Sequence, residues 1–105
     1  MHTVVEMPEF LRAAARAGVS EEDRKLIVDA VATDPSGGVP LGGGLYKRRI
    51  AGRGKGKSGG YRVMTVFVGE ALPVLLIGLI SKGNTDNFSK PEIAAMTAAA
   101  RIERS

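Results

Sequence analysis

The sequence predicts one α+β domain with the element order βααβββα. Three observations lead to this fold class. The chain has 105 residues, enough for one hydrophobic core and too few for two. Apolar and β-branched runs of strand length occur beside segments of helical periodicity. Glycine-rich stretches separate several of these runs, as turns and loops require.

The first half of the chain predicts a strand followed by a helical hairpin. Thr3 to Glu6 is a short β-branched run, and a helix is expected from Glu9 to Ala17. Ser20 with Asp23 has the form of an N-cap followed by an acid in the first turn, and it opens a second helix that Asp34-Pro35 ends. The residues expected to face inward are Phe10, Leu11, Ala14, Ala15, Leu26, Ile27, Ala30 and Val31.

The second half predicts three strands and a final helix. Ser89 with Glu92 matches a capping box at the start of that helix. The hairpin of the last two strands supplies the core of the sheet. In chain order the predicted segments are a loop over 36–44, a strand over Leu45–Ile50, a loop over 51–60, strands over Tyr61–Val68 and Pro73–Ile80, and a helix over Lys90–Glu103.

Composition excludes several classes of site and suggests a location. The chain has no cysteine and one histidine, His2, so disulfides, thiolate nucleophiles and cysteine-ligated zinc are excluded. We expect no metal and no cofactor, because the acids do not cluster with ligand spacing. The longest apolar stretch, Ala71 to Ile80, is far shorter than the roughly 20 residues of a membrane-spanning helix. With no signal-peptide pattern either, we expect a cytoplasmic protein without a membrane partner.

Positive charge is concentrated in one part of the chain. The net charge is +4, yet the segment from Leu45 to Arg62 holds seven cations and no acid, so the remainder is −3. On the strand Leu45–Ile50, alternation puts Lys47 and Arg49 on one side and Arg48 on the other. A local patch of this kind favours a polyanionic partner, most often nucleic acid. Its cations are Lys47, Arg48, Arg49, Arg53, Lys55, Lys57 and Arg62.

The glycine-rich loop within this patch has two interpretations besides solvation. Ala51 to Ser58 satisfies a permissive form of the nucleotide-binding P-loop. However, that motif must follow a buried strand and open a helix, and here a cationic strand precedes it and a β-rich run follows. The favoured interpretation is RNA binding, because glycines alternate with Arg53, Lys55 and Lys57 and so let the backbone approach a phosphodiester.

Four segments together resemble the RelE/HigB toxins of bacterial toxin-antitoxin systems. The segments are Val4 to Phe10, the loop Gly37 to Gly44 before Leu45-Tyr46-Lys47, Gly54 to Val63, and Lys82 ahead of a capped helix. The resemblance spans nearly the whole chain, 1–105, as one RelE-like domain. It implies a curved antiparallel sheet packed on the helical hairpin. It also implies a ribosome-dependent, metal-independent mRNA endonuclease that an antitoxin, of helix-turn-helix type, inhibits.

The same resemblance implies attack of a ribose 2′-hydroxyl on the neighbouring phosphate, with an assigned role for each basic residue. In the absence of a suitable histidine, Lys55 and Lys57 are the candidates for proton transfer. Arg62 and Lys82 would stabilise the pentavalent phosphate. The residues predicted to bind RNA are Lys47, Arg48, Arg49 and Arg53, which would hold phosphates, and Tyr61, which would stack on a base. Phe88 stands where some relatives have a tyrosine.

Two other functions stay open at this stage. One is a ParE-like toxin that binds gyrase and has lost or exchanged the nuclease. The other is a nucleic-acid-binding module without chemistry.

Overall fold

The computed structural model describes residues 2–52 and 60–81 and, beyond them, Pro91 and Ala98. It confirms the predicted α+β class. No helix in these ranges is long and apolar enough to cross a membrane. The elements are β1 (Val4–Glu6), α1 (Pro8–Arg16), α2 (Glu21–Thr33), β2 (Val39–Gly42), β3 (Leu45–Ile50), β4 (Tyr61–Val66) and β5 (Val74–Ser81).

The five strands form one mixed sheet in the order β1-β5-β4-β3-β2. The four strands from β2 to β5 are antiparallel neighbours, and the sequence predicts the antiparallel hairpin of β4 and β5 among them. The first strand, however, pairs with β5 in parallel, so the antiparallel sheet that the resemblance implies has one parallel pair at its edge. A parallel pair needs a long crossover connection, and here everything from α1 to β4 lies between the two strands.

The sequence predicts a loop over 36–44, but residues Val39–Gly42 form β2, the edge strand beside β3. The glycines of this segment interrupt the alternation of apolar and polar residues that would predict a strand. They are needed where two backbones come close together and where the chain turns. A Cβ atom on Gly38, at φ +99°, would lie 2.4 Å from the Lys47 carbonyl oxygen. Gly42, Gly43 and Gly44 all have positive φ in the turn that leads to β3. All four residues of β2 are exposed.

The helical hairpin forms as predicted, with a narrower buried face. The Ser20 hydroxyl accepts a hydrogen bond from the Asp23 amide at 3.1 Å and caps α2. The predicted inward positions at Leu11 and Leu26 are wrong, since they are 39% and 40% exposed, and Ala15 is exposed too. Each helix touches the sheet mainly along one i, i+4 ridge, which is narrower than the apolar stripe of the sequence. The ridges consist of Phe10 and Ala14 in α1, and Ile27 and Val31 in α2.

Apolar side chains cover both faces of the sheet. Residues of β5 alternate between two clusters, which accounts for its unbroken apolar sequence. The helix-side cluster joins Phe10, Ile27 and Val31 to Ile50, Tyr61, Val63, Val74, Leu76 and Leu79. The cluster on the opposite face contains Met7, Leu45, Met64, Val66, Leu75, Ile77 and Ile80.

Two predicted segments fall largely outside the described residues. They are the interior of the basic loop, 53–59, and the final helix, of which only Pro91 and Ala98 are described, both helical.

Thr65 should limit the stability of the sheet. Its side chain is fully buried in β4, next to a register shift, and its hydroxyl oxygen has no hydrogen-bond partner. We expect Thr65→Val to raise the free energy of unfolding by about 1 kcal/mol, because it removes an unsatisfied buried hydroxyl without changing the side-chain shape. Denaturant unfolding measures this, with the exposed Thr33→Val as control. A loss of stability at position 65 would show that the hydroxyl is satisfied.

Candidate nucleic-acid interface

The alternation of β3 divides its cations between the two faces of the sheet. Leu45 belongs to the cluster on the face opposite the helices and Ile50 to the helix-side cluster. Because successive side chains of a strand point to opposite faces, Lys47 and Arg49 share the face of Leu45. Arg48 lies on the face of the helices.

Arg62 joins Lys47 and Arg49 through the pairing of β3 with β4. The register places Arg49 directly opposite Arg62 and Lys47 opposite Met64, and Met64 belongs to the cluster on the non-helix face. Directly opposed residues have Cβ atoms about 5 Å apart. Arg49 is exposed, while Lys47 and Arg62 are partly exposed. We call these three residues the basic sheet face.

Three of the described acids form ion pairs away from the basic sheet face. Carboxylate oxygens of Glu6, Glu9 and Glu70 lie 3.0 Å from Arg24, 2.6 Å from Arg12 and 2.9 Å from His2, respectively. Within the described ranges, no ion pair involves the basic sheet face. Like charges directly opposite each other destabilise a sheet. An anion that accepts hydrogen bonds from both Arg49 and Arg62 would remove that repulsion, and a phosphate group has the oxygens to do so.

Arg48 has a structural partner on the helix side. Its Nη1 atom donates a hydrogen bond to the carbonyl oxygen of Asp34, at 2.7 Å, and Asp34 is the C-cap of α2. Carbonyls at helix C-termini lack partners within the helix, and a cation is favourable there. The expectation that Arg48 and Arg49 bind RNA together does not fit this arrangement, because the two side chains point to opposite faces.

Tyr61 is buried, and the expectation that it stacks on an RNA base is wrong. The residue is 3% exposed and packs in the helix-side cluster. Its hydroxyl donates a hydrogen bond to Asp23 Oδ2 at 2.6 Å. Burial, together with this carboxylate, raises the pKa of Tyr61 to about 12. The ring lies on the opposite face from Arg62 because the two residues are neighbours on one strand.

Asp23 is the residue that the sequence did not reveal. The sequence predicts only a first-turn acid of α2 at this position, yet the residue is buried, at 6% exposure. The positive end of the helix dipole favours a carboxylate at this position. A buried tyrosine hydroxyl generally needs a partner, but the partner lies 38 residues away along the chain, and no local pattern identifies it.

Four further predicted site residues lie outside the described ranges: Arg53, Lys55, Lys57 and Lys82. The described ends of the basic loop, Gly52 and Gly60, are both buried. A Cβ atom on Gly60 would lie 2.7 Å from the Ile50 carbonyl oxygen. The loop therefore begins and ends beside the Ile50 and Tyr61 pair, one position along the strands from Arg49 and Arg62.

His2 contacts the fold through both its backbone and its ring. Its amide donates to the Ala32 carbonyl at 3.0 Å, and its ring meets Phe67 edge-on at 5.1 Å between centroids. Among the residues that the structure describes, no three His, Cys, Asp or Glu side chains are grouped so as to hold a metal ion.

The family model described as the RelE toxin of the RelE/RelB toxin-antitoxin system matches residues 3–104. No curated protein matches the chain.

Titration should reveal the Tyr61 hydrogen bond directly. In a Tyr46→Phe variant, Tyr61 is the sole tyrosine, and its phenolate absorbance should appear near pH 12 instead of near pH 10. Since folding raises this pKa, its contribution to stability is complete below pH 10 and is lost as the pH rises through about 12. A phenolate that forms near pH 10 in the folded protein would contradict the buried contact.

The matched substitutions Arg48→Ala and Arg49→Ala should affect different properties, the first stability and the second RNA binding. Arg48→Ala should lower the free energy of unfolding by about 1 kcal/mol, because α2 loses a hydrogen bond at its C-terminus. Arg49→Ala should leave the fold stable and weaken binding of a single-stranded RNA oligonucleotide, with the salt slope falling by about 0.7 per lost phosphate contact. Denaturant unfolding and RNA titrations at several salt concentrations measure both effects. An unchanged salt slope for Arg49→Ala would exclude this face as an RNA surface.

Proposed function

This chain belongs to the RelE toxin family, so it is the toxin of a toxin-antitoxin system, and we propose that it cuts mRNA on the translating ribosome. The observation that carries the proposal is the direct pairing of Arg49 with Arg62 on the basic sheet face. Two guanidiniums held side by side are unfavourable for the free protein and favourable around a phosphodiester. The antiparallel strands fix this arrangement before RNA binds.

The proposed reaction needs only groups that the chain supplies. A ribose 2′-hydroxyl attacks the adjacent phosphorus, the bond to the leaving 5′-oxygen breaks, and the RNA is left with a 2′,3′-cyclic phosphate. One group must accept the proton of the hydroxyl and another must protonate the leaving oxygen. We assign these two roles to Lys55 and Lys57, since a lysine crowded by other cations gives up its proton more readily.

Arg62 is the residue that we assign to the pentavalent phosphate, together with Lys82. It lies on β4, whose backbone is paired on both sides, with Arg49 opposite on β3 and Ile80 opposite on β5. A charge held on a central strand is positioned before the reaction starts, which is what electrostatic stabilisation of a transition state requires. Lys47, Arg49 and Arg53 would then hold neighbouring phosphates.

The proposed partners follow from the same chemistry. The basic sheet face would bind the mRNA backbone and, beside it, ribosomal RNA. The family implies an antitoxin, and we propose one with a helix-turn-helix domain encoded beside the toxin. The cytoplasm is the compartment in which all of these partners meet.

Induction of the protein in bacteria, followed by mapping of mRNA 5′ ends, tests the proposed function. New 5′ ends within codons, dependent on translation, would support it. DNA damage without mRNA cleavage would instead indicate a ParE-like toxin that acts on gyrase. Growth without either effect would leave nucleic-acid binding as the activity.

Arg62→Ala should abolish toxicity. We expect the single-turnover rate of cleavage of ribosome-bound mRNA to fall by about a hundredfold, or roughly 3 kcal/mol of transition-state stabilisation. Arg62→Lys should restore little of this rate, because lysine lacks the planar fork that binds two phosphate oxygens. Arg16→Ala, on the exposed end of α1, is the control and should cut normally. If folded Arg62→Ala cuts at the wild-type rate, the reaction takes place elsewhere.

A further inference from the structure

We propose that the hydrogen bond between Tyr61 and Asp23 sets the register of β4 and thereby holds Arg62 on the RNA-binding face. Tyr61 and Asp23 would be positioning residues, because both are buried and act on the reaction only through Arg62. The inference rests on the proposed function for its effect on cleavage. Its structural part, the choice of register, stands independently of that function.

Hydrophobic burial alone specifies this register poorly. A shift of one residue in a strand moves every side chain to the other face, and such a shift is usually prevented because one face is apolar and the other polar. In β4, however, every residue except Arg62 is buried. The neighbouring strand β5 also has apolar residues on both faces. Apolar residues of β4 would therefore meet apolar neighbours on either face.

The connection between β3 and β4 is not a tight turn. Tight two-residue turns fix the register of a hairpin, but here residues 51–60 separate the two strands. The pairing of Arg49 with Arg62 opposes the observed register, because it places like charges directly opposite each other. An interaction that forms only in this register would help to offset that repulsion.

The Tyr61 hydroxyl and the Asp23 carboxylate provide such an interaction. Their oxygen atoms are 2.6 Å apart, and the bond is buried between the start of β4 and the first turn of α2. A shift of one residue would turn Tyr61 to the opposite face and break this hydrogen bond. It would also turn the Arg62 guanidinium towards the helix-side cluster, where burial of a charge is costly.

Tyr61→Phe tests the inference, because it keeps the ring and removes only the hydroxyl. Two control variants are matched to it. Tyr46→Phe removes a tyrosine hydroxyl from the adjacent strand β3, where the side chain is partly exposed. Val31→Ala weakens the same helix-side cluster without touching the hydrogen bond. All variants are assayed below their melting temperatures.

Two measurements distinguish positioning from general loss of stability. Single-turnover cleavage of ribosome-bound mRNA gives the plateau rate and the half-saturating ribosome concentration. We expect Tyr61→Phe to lower the plateau rate about tenfold with little change in half-saturation, since small misplacement of a catalytic group affects the chemical step most. Both controls should keep the wild-type plateau rate. In an Arg62→Ala background, Tyr61→Phe should have no further effect on the rate.

Cross-strand proton contacts between Arg49 and Arg62, seen by NMR, report the register itself. They should weaken in Tyr61→Phe, with a second set of contacts appearing, and stay intact in both controls. A single unchanged register together with a wild-type plateau rate would overturn the inference. A plateau rate that falls equally in Val31→Ala would also overturn it. If the wild-type protein cuts no RNA, the proposed function fails, and the NMR contacts alone decide the inference.

Discussion

The pairing of β4 between β3 and β5 is the constraint on which both the core and the candidate site depend. One register joins Val63 and Leu79 on the helix side, Val66 and Leu75 on the other side, and Arg49 to Arg62. Burial of the apolar pairs stabilises this register, and repulsion within the charged pair destabilises it. The candidate site therefore depends on the apolar pairing of the sheet, which keeps Arg49 and Arg62 opposite each other against their mutual repulsion.

The two faces of the sheet have different surroundings, and adjacent residues of one strand lie on opposite faces. Arg48 donates a hydrogen bond to the carbonyl oxygen of Asp34 at the C-terminus of α2. Arg49, in contrast, lies opposite Arg62 on the face away from the helices. On the helix side the Tyr61 hydroxyl, like the Arg48 guanidinium, has its partner within the protein. The basic sheet face has cations for which an RNA phosphate is a suitable partner, and this separation connects the fold to the proposed cleavage of mRNA.

Positioning by a sheet suits a reaction that depends on electrostatic stabilisation. A guanidinium on a strand that is paired on both sides needs little reorganisation when charge develops on the phosphate. Lys55 and Lys57, which we assign to proton transfer, lie on the connection between β3 and β4. This connection begins and ends next to the paired residues Arg49 and Arg62. In the proposed enzyme, the sheet thus supplies the fixed charge, and the glycine-rich connection supplies the groups that exchange protons.

The sequence by itself determined the features that depend only on residues close together along the chain. It located β3 at Leu45–Ile50, the Ser20 cap and the local concentration of cations, because period, capping and charge are local properties. Tertiary structure decided the parallel pairing of β1 with β5, the formation of the edge strand β2 from glycine-rich sequence, and the partners of Arg48 and Tyr61. Those partners are 14 and 38 residues away along the chain. Only the packing of α2 against the sheet brings them together, so no local pattern could predict that Tyr61 is buried while Arg62, its neighbour on β4, is partly exposed.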